Sequence, residues 1–161
     1  MYLIDEKYLS DYTSVSINKN AKDIKVAFQA VTIIHVKPLL GIALYELLET
    51  HVASTIELTA KQAQLFDMVK YFMALKVERE MLYNIISISN KGATEEEKAA
   101  SVETVTVKRQ AVESQAASVK KNILSYLNTN KADFPEFYPE TNTQDFTSGI
   151  IFEPVRRIYI Q

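Results

Sequence analysis

Between Ala21 and Asn128 the chain holds two glycines, Gly41 and Gly92, and one proline, Pro38. Breakers that rare over so long a stretch leave room for little except long helices. Beyond Asn130 the texture changes, because the last 31 residues carry three of the four prolines and six of the sixteen aromatics. The sequence thus divides into a helical body over 1–130 and an extended C-terminal arm over 131–161. The expected fold is mainly α: a small bundle of about four helices with one long central helix, a short β-hairpin and the arm.

The first helix is expected from about Lys22 to Lys37. Ile24, Phe28, Val31 and His35 make one stripe at helical spacing, and Val26, Ala30 and Ile33 fill an adjacent one. A helix apolar over most of its circumference is buried between neighbours. Pro38 steers Lys37 away from helical dihedrals, which places an elbow there. Leu40, Leu44, Leu47 and Leu48 then mark a short second helix ending near Val52. The third has the clearest start in the chain, since Thr59 and Gln62 form a capping box ahead of an apolar-periodic run. It should reach about Ile85, with Leu65, Met68, Phe72, Leu75 and Leu82 on one face. Ile86 to Ser89 alternates at period two before the turn Asn90-Lys91-Gly92, as in a short strand. In the fourth helix Val105, Val112, Val119 and Tyr126 recur by sevens, with Arg109, Ala116 and Ile123 between them, a seam suited to one partner helix. Its opening, Val102 to Val107, reads equally well as a strand.

Composition narrows the function. Eighteen Lys and Arg against 20 Asp and Glu leave a net charge of -2, which opposes a dominant phosphate-binding footprint. With no cysteine there is no disulfide, thiolate metal site or cysteine nucleophile. No apolar run approaches the ~18 residues of a membrane span, and Asp5 and Glu6 sit where a secretory signal would be basic. A soluble, non-secreted protein with no membrane partner is the expectation.

Catalytic constellations are missing as well. The three glycines are isolated, so neither a phosphate loop nor a nucleophile elbow exists. His35 and His51 lack the Glu-x-x-His spacing of di-iron bundles, and they read as a helix-end histidine and a C-terminal dipole partner. Glu46 with Glu49, and Lys76 with Glu80, read as solvated helix faces. The expectation is no enzyme activity and no cofactor or metal.

The arm is the informative feature. Phe137, Tyr138, Phe146, Ile150, Ile151, Phe152, Ile158 and Tyr159, with the basic pair Arg156 and Arg157, concentrate apolar and cationic side chains in a segment without helical period. These are the candidate interface residues. Either the arm folds back on its own body or it pairs with a neighbouring subunit.

One string carries a family likeness: Ala27 to Ala30, then Ile34-His35-Val36-Lys37-Pro38-Leu39-Leu40-Gly41-Ile42-Ala43-Leu44-Tyr45. It resembles the His-x-x-Pro-x-Leu-Gly-x-x-Leu-Tyr signature of small head–tail connector (adaptor) proteins of tailed phages, especially those infecting Bacteroidetes, crAss-like phages included. Ile88 to Gly92 is similar to the turn after their long helix, and Ile123 to Asn128 with Phe134-Pro135 to their closing helix. The likeness covers about 27–135 and makes His35, Pro38 and Gly41 a structural elbow. It implies a virion protein at the head–tail junction, assembled in the host cytoplasm as a homo-oligomeric ring, commonly a dodecamer. Its partners would be the portal protein and neighbouring neck and tail proteins, with only weak non-specific contact to the DNA passing through. The competing expectation is a cytoplasmic helical binding module that captures a partner through its arm.

Overall fold

In the computed structural model, which describes residues 2–15, 21–54, 56–83 and 102–137, the chain is mainly α, as expected, with no strand among the described residues. The α-helices are α1 (Glu6–Tyr12), α2 (Ala21–Val31), α3 (Lys37–Leu40), α4 (Ile42–Ser54), α5 (Ala60–Tyr83) and α6 (Val102–Thr129). The π-helical turn Thr32–Val36 joins α2 to α3, and a 3-10 turn, Lys131–Asp133, follows α6.

Helix α5 is the axis of the fold. Its 24 residues extend about 36 Å, and α6, α2, α1 and the π turn all pack on it. From Phe72 to Glu78 every side chain is buried, because neighbours cover the helix all round. The expected capping box is formed at its start. The Thr59 N–H donates to Gln62 Oε1 (3.0 Å) and the Gln62 N–H to Thr59 Oγ1 (3.2 Å), satisfying two otherwise orphaned donors.

Helix α6 lies antiparallel on α5, with Val105, Val112, Ala116, Ile123 and Leu127 buried along the expected seam. Its helix begins at Val102, so the strand alternative for 102–107 does not hold; once Val105 is buried in the seam, packing outweighs the β preference of the segment. Charge pairs follow this register. Lys61 meets Asp133 (2.6 Å), Lys76 meets Glu113 (2.6 Å), and Glu78 meets Lys108 (3.6 Å).

Three expectations change. The elbow sits at Gly41, not at Lys37: helix continues through Pro38 to Leu40, and α4 then leaves at 119°. The π turn makes this possible. The Lys37 N–H reaches back to Thr32 O, and the wider turn relieves the clash of a proline ring with the carbonyl four residues before it. Second, the helix expected from about Lys22 is not the first, for α1 forms behind Asp5, which caps it through the Tyr8 N–H (2.7 Å). Third, packing does not end at 130. Phe134 and Phe137 are buried, and Phe134 meets the Tyr126 ring edge-on, so the body extends to Phe137. The hairpin expected around 86–92 lies outside the described residues.

Candidate functional site

The elbow signature resolves into structural roles. Gly41 has φ 79° and ψ 158°, a region that a Cβ makes costly, and its surroundings bury it. Leu40, Leu44 and Tyr45 are fully buried beside it. Burial, with the Glu49 carboxylate adding, pushes the Tyr45 hydroxyl up to about 12, and Lys37 Nζ lies 4.9 Å from the Tyr45 ring centre. Pro38 opens α3 and is exposed. Between these anchored residues the corner displays three isoleucines to solvent: Ile33 is 56% exposed, Ile34 63% and Ile42 54%.

His35 is half-buried in the π turn and faces charges from two other helices. Its pKa is lowered from the ordinary value, first by burial and then by the nearby Lys76 ammonium; Arg79 acts the same way, while Glu80 and Glu113 oppose it. Lys76 and Glu80 are not the solvated pair expected from the sequence. Lys76 is only 7% exposed, because it lies in the covered stretch of α5, and it donates to Glu113 Oε1. Arg79 bridges Glu80 Oε1 (2.6 Å) and Glu113 Oε2 (2.7 Å). Burial alone would raise the Glu113 carboxyl, but the hydrogen bond and charge of Lys76, with Arg79 and His35, hold it below its ordinary value. One turn away, buried Glu78 accepts from the Ser14 hydroxyl, which in turn accepts from Lys108. These knots tie the segment after α1 and helix α6 to the central helix, and every charge in them has a partner. Among the described residues no group of three or more histidine or acidic side chains is arranged to hold a metal ion.

His51 donates from Nδ1 to Ile56 O and packs edge-on to Phe66 at 5.3 Å, so it pins the α4–α5 connection. Next to it opens a groove of about 790 Å³. The N-terminal segment forms one wall, α2 and α4 contribute Phe28 and Val52, and α5 contributes Phe66 and Lys70. Tyr2 packs on Phe28 at 5.2 Å, while Tyr8 stacks on Tyr12 at 4.3 Å. Lys70 Nζ lies 4.8 Å from the Phe66 ring centre and 5.3 Å from that of Tyr8. Burial pushes the Tyr8 hydroxyl up to about 12. Sequence reading missed this groove because it depends on α1, although Asp5 ahead of Glu6 was a usable capping signal.

Residues 36–147 match the model of a family of unknown function, DUF6712. The chain belongs to that family. No curated protein and no solved structure matches it. The family region begins at the end of the π turn and takes in Pro38, Gly41, α4, α5 and α6, whereas His35 and the groove wall up to Phe28 precede it.

Of the arm candidates, Phe137 is a core residue. Tyr138, Phe146, Ile150, Ile151, Phe152, Arg156, Arg157, Ile158 and Tyr159 lie outside the described residues. No single described helix is long and apolar enough to cross a membrane; α2 to α4 pass that test of length and composition only as a pair bent by 119°.

Proposed function

We propose that the chain is a structural subunit of a phage neck, a head–tail connector that forms a ring beneath the portal and acts through protein–protein contacts. The observation that carries this reading is the corner at 33–45. The residues on which the connector likeness rests are spent on building a sharp, rigid bend, and that bend holds Ile33, Ile34 and Ile42 outward as an uncovered apolar surface. Such a surface, offered by a rigid element, is what a permanent neighbour covers. The charged groups near it, Lys76, Arg79 and Glu113, are paired with one another, in keeping with a scaffold role. A net charge of -2 suits a conduit that lets DNA slide without gripping it.

Quantitative mass spectrometry of purified, DNA-filled particles tests the reading. The expected result is a fixed copy-number ratio to the portal protein, near one or a small integer. Absence from particles in spite of abundance in infected cells would overturn it and favour the adaptor module.

A further inference from the structure

We infer that the aromatic groove between the N-terminal segment and α5 is the acceptor for residues 149–160 of a second copy of this chain. The inference rests on the ring reading for its geometry and adds the site at which adjacent subunits join.

Placement is the first argument. On α5, Lys61 and Gln64 turn toward α6, where they bond Asp133 and Tyr126, and the chain leaves the body just beyond, at Phe137. Phe66 and Lys70, which floor the groove, point roughly half a helical turn away from those two. The point where the arm attaches therefore lies on one side of the central helix, and the groove opens on the other. Donor and acceptor on opposite sides make a head-to-tail contact, in which each copy gives an arm to one neighbour and receives one from the next.

Length and chemistry agree with this. Eleven residues, 138–148, separate Phe137 from Gly149 and span up to about 36 Å when extended, enough to cross onto an adjacent body. Ile150, Ile151, Phe152, Ile158 and Tyr159 then bring bulky apolar groups to a groove walled by Tyr2, Phe28 and Phe66. Charges of both signs are available as well: Lys25 borders the groove and offers Glu153 a cation, as does Lys70, which also pairs with Asp67 (2.8 Å), and Glu6 offers a carboxylate to Arg156 or Arg157. The thirty apolar side chains buried among the described residues all lie between Leu3 and Phe137.

The chain has no cysteine, so single thiols can be placed cleanly. Lys25→Cys on one copy and Ile151→Cys on another, both full length and verified as helical by circular dichroism, are mixed and treated with a short bismaleimide. The expected product is a crosslinked heterodimer, lost when a synthetic peptide of residues 146–161 is added in excess. Pairing Ile151→Cys with Ala117→Cys on the exposed face of α6 should give none. Equal crosslinking to Ala117→Cys, or no heterodimer at all, would overturn the inference. So would an intramolecular product from the diluted chain carrying both Lys25→Cys and Ile151→Cys, because the arm would then fill its own groove. Particle stoichiometry judges the ring reading separately: a stoichiometric chain without this crosslink sinks only the groove assignment, and the crosslink in a chain absent from particles sinks only the ring.

Discussion

Gly41 and His35 show how much of the corner depends on single side chains. The φ and ψ of Gly41 belong to a region open essentially to glycine alone. Gly41→Ala should therefore cost about 1–3 kcal/mol, read as a drop of at least ~2 °C in melting temperature, with the 33–42 surface losing its geometry before the α5–α6 pair melts. Hydrogen exchange resolved along the chain would locate that order of loss. His35 contributes a pH dependence. Its folded pKa lies below the ordinary 6.5, so the unfolded chain takes up its proton first as pH falls. The stability it confers is complete above about pH 6.5 and is lost as pH drops toward the folded pKa. Urea midpoints at pH 7.5 and 5.5 should converge in His35→Gln relative to the parent chain; an unchanged gap would mean that another group sets the slope. The buried pair beside it predicts an asymmetry. Glu113→Ala strands Lys76 in the interior and should cost about 1–3 kcal/mol, below the range for a fully buried pair because the Glu113 side chain is 42% exposed. Lys76→Met leaves Glu113 paired with Arg79 and should cost less than about 1 kcal/mol. Equal losses in the two variants would place the stabilisation in packing and not in charge.

At the scale of elements, what the sequence made legible was what depends on local chemistry. The Thr59–Gln62 box marks the start of α5 to the residue, because both of its hydrogen bonds form within one turn. The α6 seam was legible too, since a helix that meets a single partner keeps a narrow stripe. Pro38 misled, because its local preference for a break is answered by five residues of π helix whose sequence, Thr-Ile-Ile-His-Val, carries no signal of its own. Lys76 misled for a related reason. A charged residue within the run Phe72–Val77 reads as surface until it is known that α6 brings Glu113 to meet it. The groove was illegible for want of α1, a seven-residue helix held by burial of Leu9 more than by propensity.

The whole molecule separates into a body that closes on itself and surfaces that do not. Phe134 and Phe137 decide where one ends and the other begins. A chain truncated after Phe137 retains every buried side chain described above, and its thermal midpoint and helical dichroism should match those of the full chain if the arm acts only on neighbours. Truncation after Asn130 removes Phe134, buried under Tyr126, together with the Asp133 partner of Lys61. Losing the phenyl ring alone is worth about 3–5 kcal/mol in a packed core, a large share of a domain's total stability of about 5–15 kcal/mol. The two truncations should therefore differ sharply in thermal midpoint, and equal stabilities would mean that Phe134 caps the bundle without contributing to it. A large loss from the first truncation would instead show the arm packing on its own body, because a segment that serves only a neighbour adds nothing to the stability of an isolated chain.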